Sequence, residues 1–410
     1  MIVNGIVAEY NPFHNGHIAH IEQSKNHTNA DYTVIAMSGN YVQRGAPAVI
    51  DKYTRTKMAL EGGADLVLEL PTCYSTASAE YFACGAVALL DKIGVVDYLS
   101  FGSECGDIEV LRHIASILLE EPPEFSEYMQ RYLKEGYTYP LARNNALIQY
   151  ENSLFDAAKV LEEPNNILAI EYIKALIRRN SAITPFTIKR QGSNYHDRYM
   201  ADNATTASAQ AIREAISAGT DFSNAMPESA FNDLFDQIEA GNIIDLDDFS
   251  SMLYYKLLSE KNIGYTSYFD VSTALSDRIA NKLGSFTSFK NFIDEVKSKD
   301  RTYTRISRCL MHILLDITER DVESYKLIDF IPYARVLGFR RDAEPLLSEI
   351  KCRSKIPLIT KVADASGILY SEPWKMFRNE IKANEIYYST RAIKTCTPAK
   401  NEYSTPLVII

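Results

Sequence analysis

The six cysteines, Cys73, Cys84, Cys105, Cys309, Cys352 and Cys396, are scattered along the chain, and no two stand as CxxC. That spacing excludes a zinc ribbon and a disulfide framework, and leaves isolated, mostly buried thiols as the plain expectation. No run of 18 apolar residues occurs, so no transmembrane helix is expected. The opening "MIVNGIVAEY" has neither a basic stretch nor a long apolar core. It reads as a first strand and not as a secretion signal. Low-complexity segments and repeat periods are lacking too. A soluble, cytoplasmic protein is the expectation.

Bulk positive charge is also missing. Lys and Arg number 43 against 53 Asp and Glu, a net charge of −10, which argues against coating a nucleic acid by charge alone. The distribution is uneven, however. Residues 301–410 hold 18 Lys and Arg against 13 Asp and Glu, a local +5, and leave −15 for the rest. Phosphate contacts depend on local patches, so this basic tail can still serve RNA.

What is present is an alternation of strand and helix patterns. "IVNGIVA", "YTVIAMSG", "DLVLELP", "VDYLSFG" and "ITPFTIKR" read as strands. Between them, Gly16 to Ser24, "DKYTRTKMALEGG", "AEYFACGAVALLDKIG" and "EPNNILAIEYIKALIRRN" read as helices, and "SAQAIREAISAG" follows as a short helix. This β-α order predicts a parallel α/β sheet with helices on both faces. After residue 217 the alternation gives way to amphipathic helices such as "YTRISRCLMHILLDI". A chain of 410 residues exceeds one small core, so two domains are expected, 1–217 and 218–410. "EIYYSTRAIKTCTP" is read as strand or loop.

The most informative stretch is "EYNPFHNGHIAHIEQSK", Glu9 to Lys25, which places His14, His17 and His20 just after the first strand. In open parallel sheets, ligands bind at the carboxyl ends of strands. The helix that begins near Gly16 offers free N–H groups and a positive dipole end, so an anion is the natural occupant. Imidazoles there can hydrogen-bond phosphate oxygens. Gly16 permits close approach and Pro12 stiffens the turn. A metal site is disfavoured, because His14 and His17 straddle a turn and no HExxH appears.

"YNPFHNGH" resembles the (F/Y)-(D/N)-P-x-H-x-G-H signature of the HxGH nucleotidyltransferases. The resemblance implies a Rossmann-like, HUP-type fold in the first domain, followed by a mainly α-helical domain. It also implies that His14 and His17 bind ATP phosphates and stabilise the transition state at the α-phosphate. "SAQAIR", Ser208 to Arg213, stands where that family has S-S-T-x-I-R: Ser208, Ile212 and Arg213 match, while Ala209 and Gln210 depart. "GIVAEYNPFHNGH", "MSGNYVQRG", "GADLVLELP", "SFGSE", "EPNNILAIEY" and "IKRQGSNYHD" resemble more closely the tRNA(Met) cytidine acetate ligases. That likeness implies activation of acetate by ATP to acetyl-adenylate. It further implies acetylation of the wobble cytidine of elongator tRNA(Met), with release of AMP and diphosphate.

On this reading the ATP contacts are Val7, Ala8, Glu9, Tyr10, Asn11, Pro12, Phe13, His14, Asn15, Gly16, His17 and His20, together with Gly102, Asn165, Arg190, Ser208 and Arg213. Lys189 is a further cation near the phosphates, and Gln43 and Arg44 are candidates for the acetate pocket. Mg²⁺ is admitted beside ATP but no protein metal site is assigned. Acetate is already ionised at neutral pH, so the first step needs charge neutralisation and not a general base.

For the RNA, basic residues interleaved with aromatics suit a tRNA surface. Arg301, Arg305 and Arg308 form one candidate patch. A second contains Trp374, Lys375, Arg378, Lys382, Tyr387, Tyr388, Arg391 and Lys394. Two other functions fit parts of the pattern: a small-molecule adenylyltransferase, and a non-catalytic tRNA-binding protein that keeps a nucleotide fold. Nearly 200 residues with a basic end leave the first without a purpose, and intact His14 and His17 disfavour the second.

Overall fold

The computed structural model describes residues 1–151, 160–190, 205–298 and 301–410. Ten strands are found there: β1 (Val3–Ala8), β2 (Tyr32–Ser38), β3 (Tyr41–Val42), β4 (Ala46–Pro47), β5 (Leu66–Leu70), β6 (Tyr98–Ser103), β7 (Thr184–Lys189), β8 (Ala334–Phe339), β9 (Leu358–Ile359) and β10 (Val408–Ile409). The main sheet runs β10-β8-β5-β2-β1-β6-β7, with β9 beside β8. β5, β2, β1, β6 and β7 pair in parallel. This is the half of a doubly wound fold in which the strand order reverses on leaving β1, and a crevice opens between the carboxyl ends of β1 and β6.

Each strand splits its side chains between two apolar layers, as the two-residue repeat of a strand requires. Val34 and Ala36 face the layer that holds the helices Ala79–Lys92 and Pro164–Arg178. Ile35 and Met37 face the other layer, with Phe13, Met58 and Ile212. β1, β2, β5 and β6 were legible as apolar runs because both faces are covered, and the half-buried edge strand β7 by its alternation with helices.

The division expected at residue 217 is not a boundary of the sheet. β8 pairs antiparallel with β5, and β10 pairs with β8. The segment after 217 is rich in helices, yet it also completes the sheet edge. "EIYYSTRAIKTCTP" is not a strand either: all but its last three residues lie in a 25-residue helix, Ser371–Thr395. Its β-branched residues and tyrosines suggested a strand, but tertiary burial decides. Asn384, Tyr387 and Tyr388 are fully buried against the first half of the chain.

A buried ionic cluster ties the two halves. Lys52 Nζ lies 2.7 Å from Glu69 and 3.2 Å from Glu402, and Arg335 pairs with Glu69 at 3.0 Å and with Glu402. Nearby, the Glu380 carboxylate accepts from Thr72 N at 2.6 Å and Thr72 Oγ1 at 2.8 Å. Burial, and then Glu69, push its pKa up to about 7. Removing one member would strand a buried charge, so the cluster locks residue 402 to the sheet.

Candidate active site

β1 ends at Ala8, and the chain turns sharply: Tyr10 has φ of 48°, in the left-handed region. The turn is held from several sides. The Arg55 guanidinium, with no exposed surface, donates to the carbonyls of Glu9 (2.6 Å), Ser38 (3.0 Å), Ile50 (3.2 Å) and Gly39. Val49 N donates to Asn11 Oδ1 at 2.8 Å, and Arg213 Nη1 donates to the Asn11 carbonyl at 2.5 Å. Phe13 is fully buried against Gly62.

The helix Asn15–Thr28 starts from this turn, with His14 as its N-cap. Gly16 N donates to His14 Nδ1 at 3.1 Å, and His14 N donates to His17 Nδ1 at 3.2 Å. The two imidazoles thus form a reciprocal capping box, in the place usually taken by Ser and Glu. Both Nδ1 atoms accept, so each neutral ring carries its proton on Nε2 and can donate it outward. The rings stack with centroids 3.7 Å apart. His20 Nε2 is buried without a hydrogen-bond partner.

Electrostatics keep these rings neutral. Burial is the main cause, followed by Arg190 and Arg213, and together they lower the pKa of His14 to about 3. His17 is held well below its usual value by burial, His14, Arg190 and His20. His20 is lowered to about 4 by burial and Arg190. Three neutral N–H donors beside two arginines make a pocket for a polyanion.

The histidines open onto a cavity of about 400 Å³ at the carboxyl ends of β1 and β6, within the range of small-molecule sites. Val7, Ala8, Glu9, Tyr10, Asn11, His14, His17, His20, Gly102, Asn165, Arg190, Ser208 and Arg213 all line it, as do Gln43 and Arg44. Pro12, Phe13, Asn15 and Gly16 do not line it. Phe13 belongs to the core, and Asn15 Nδ2 is spent on the carbonyls of Thr205 and Asn224, both at 2.9 Å. These residues shape the turn. Lys189 lies outside the cavity, its stem packed on Gly106.

Gly102 lets Arg190 cross the end of β6: a Cβ there would stand 3.2 Å from Arg190 Cγ. Asn165 is not a helix cap. It donates through Nδ2 to Glu104 Oε1 at 2.6 Å, and Glu104 Oε2 accepts from Asn166 N at 2.9 Å. The Glu104 carboxylate therefore sits at the N-terminus of Pro164–Arg178, where the dipole favours it. Ser208 caps Ala209–Ala218 by accepting from Ala211 N at 3.1 Å. The apolar part of the wall, with Phe82, Phe101, Leu168 and Tyr172, escaped the sequence reading, because such residues look like any core.

The site fits a nucleoside triphosphate. It offers an unpartnered nitrogen at His20 Nε2, arginines, and an apolar wall. Among the described residues no three His, Cys, Asp or Glu side chains gather as a metal site.

The RNA-contact candidates fare unequally. Tyr387 and Tyr388 have no exposed surface, and Tyr387 Oη donates to the Ala48 carbonyl at 2.9 Å. They are core residues and cannot stack on a base. Arg391 points inward as well, 2.9 Å from Asp51 and over the Tyr388 ring. Trp374 stacks on Phe377. Lys375 pairs with Asp321 at 2.5 Å, Lys394 with Asp248 at 2.8 Å, and Lys382 with Asp316. Arg305 pairs with Asp270 at 2.8 Å, and the Arg301 backbone is hydrogen-bonded to that of Ser298. The block from Gln191 to Asp197, part of the resemblance, lies outside the described residues.

Comparison with known proteins agrees with this geometry. A family model described as HIGH Nucleotidyl Transferase matches residues 1–402. A tRNA(Met) cytidine acetate ligase of Clostridium perfringens (strain SM101 / Type A) is 42% identical over 396 residues, covering 94% of this chain and 95% of its own length. One from Acetivibrio thermocellus is 38% identical over 422 residues, covering both chains fully. The crystal structure of apo Thermotoga maritima TmcAL superposes with a TM-score of 0.93 at 31% identity, over the whole of both chains. The same protein bound with alpha-thio ATP superposes at 0.90.

Proposed function

The chain belongs to the HIGH nucleotidyl transferase family and to the tRNA(Met) cytidine acetate ligases within it, and from that premise we propose how its own residues carry the reaction. It is an ATP-dependent ligase acting on tRNA(Met). The observation that carries the reading is the reciprocal His14–His17 cap, which aims two neutral N–H donors into a cavity flanked by Arg190 and Arg213.

In the first step, a carboxylate oxygen of acetate attacks the α-phosphorus of ATP, and diphosphate leaves. Charge grows on the phosphate oxygens in the transition state. His14 and His17 Nε2–H and the guanidiniums of Arg190 and Arg213 meet it without reorganising, because the turn is already locked by Arg55 and Val49. In the second step, the N4 amine of the wobble cytidine attacks the acetyl carbonyl and AMP leaves. The mixed anhydride is already activated, so orientation supplies much of the rate. No helix of the described residues is long and apolar enough to cross a membrane. The cytoplasm, where tRNA is modified, is the compartment that this reading implies.

Acetate-dependent exchange of labelled diphosphate into ATP tests the first step. Exchange that needs acetate supports the ligase. Exchange or cleavage indifferent to acetate would point to a small-molecule adenylyltransferase.

A further inference from the structure

The catalytic cavity has two unlike sides. Toward β6 and β7 it is bounded by Gly102, Asn165 and Arg190. Toward β2 it is bounded by Gln43 and Arg44, in the turn of the β3–β4 hairpin. Three contacts hold that turn. Gln43 N donates to Glu9 Oε1 at 2.8 Å, Arg44 Nη1 donates to Gln210 Oε1 at 3.3 Å, and Ser307 Oγ donates to the Gly45 carbonyl at 2.8 Å. The last contact docks the helix Tyr303–Leu315 on the turn. Gly45 has φ of +72°, and a Cβ there would overlap the backbone of Arg308. The approach is as close as two backbones allow, and it needs glycine.

Arg308 is the residue beyond Ser307. Its neighbour Arg305 has an ion pair with Asp270. The Arg308 guanidinium, half-buried, has no hydrogen bond or ion pair among the described residues. Asp270 acts on it through space but pairs with Arg305 instead; a cation taken partly out of water without a direct contact is costly, and an anion would complete it. The helix adds to the mismatch. Its first turn holds no acidic residue, Arg301 and Arg305 flank the end where the macrodipole is already positive, and Arg308 follows one turn further on. This arrangement does not favour the isolated helix, but it favours a bound phosphate.

We propose that Arg308 and the Gln43–Gly45 turn form the RNA-side mouth of the catalytic cavity, where Arg308 holds a backbone phosphate beside the cytidine that is acetylated. The proposal rests on the acetate-ligase reading above. Topology supports it. The β6–β7 side is occupied by the groups that meet the nucleotide, while the helices Tyr303–Leu315 and Ser371–Thr395 approach from the β2 side. There Tyr41 Oη donates to the Ala383 carbonyl at 3.0 Å, and His312 Nε2 meets the Thr76 carbonyl at 3.0 Å. A polynucleotide supplies a phosphate at each residue, and such contacts set the register in which a base is presented.

The test uses the full chain and an unmodified elongator tRNA(Met) transcript, with binding measured over a range of salt. Arg308→Ala is expected to weaken binding about tenfold to a hundredfold. It is also expected to lower the slope of log K against log salt by about 0.7, the value for one single-strand phosphate. Arg308→Lys keeps the slope. The control is Arg353→Ala, which removes the same charge beside Gly94, at the amino end of β6, and leaves affinity and slope unchanged. Acetate-dependent exchange without tRNA is read on the same preparations. Arg308→Ala with normal affinity and slope would overturn the proposal while exchange upholds the ligase. Arg308→Ala without exchange would also overturn it, since Arg308 would then serve the nucleotide side. Wild type without exchange would overturn the ligase reading instead.

Discussion

His14 and His17 cap one another: each Nδ1 accepts a backbone N–H of the same helix start, and the rings stack 3.7 Å apart. One arrangement thus fixes the helix terminus, the tautomer and the direction of both catalytic donors. His17→Ala is expected to lower acetate-dependent exchange by about 10²- to 10³-fold, the size of a lost transition-state donor. Its helix content stays that of wild type, because Tyr10, Phe13 and Arg55 still lock the turn. Unchanged exchange in a folded variant would remove His17 from the mechanism.

Arg190 stands exposed at the end of β7, and Gly102 lets its stem pass. Arg190→Ala is expected to raise the KM for ATP about tenfold to a hundredfold, with Arg190→Lys recovering part of it. Steady-state exchange at varied ATP reads this directly.

Stability is expected to fall with acid well before the carboxylates titrate. His14 and His20 have folded pKa values of about 3 and 4, His312 is also near 4, and His17 is lowered too. All lie below the unfolded value of about 6.5. The unfolded chain therefore binds more protons between these limits, and stability drops as pH falls below about 6.5. Glu380 opposes this: its folded pKa of about 7 favours the native state at the acid end of the same window. Four histidines outweigh one carboxyl. The unfolding free energy from urea titration should decline from pH 7 to pH 5, by up to about 1.4 kcal/mol per pH unit for each histidine. A flat profile would contradict the burial of these rings.

Arg55→Met is expected to cost about 3 kcal/mol or more, since the Glu9, Ser38, Gly39 and Ile50 carbonyls lose a charged donor. The lost hold on Glu9 also loosens the catalytic turn. Exchange in the Arg55→Lys variant should therefore fall more steeply in kcat than in the KM for ATP.

The parallel strands and the histidine turn were legible because local pattern and global burial agree there: apolar runs of five to seven residues, glycine stops, and a rare cluster of histidines. Gly102 and Arg190 stand at the ends of the strands read from "VDYLSFG" and "ITPFTIKR", whereas Asn165 was found through family likeness. What stayed hidden depends on distant contacts. β8 is revealed as a sheet strand by its pairing with β5, and the two-residue β10 only by its pairing with β8. Tyr387, Tyr388 and Arg391 look like an RNA platform in one dimension, but the helix that carries them packs its aromatic face onto Ala48 and Asp51. Arg55, the hub of the turn, carries no motif at all.

The most direct test of the central claim is single-turnover transfer of carbon-labelled acetate, with ATP, to unmodified elongator tRNA(Met), beside the same tRNA with uridine at the wobble position. Label in the cytidine tRNA and none in the uridine tRNA is the expected result. Label in neither, with ATP still cleaved, would contradict the account.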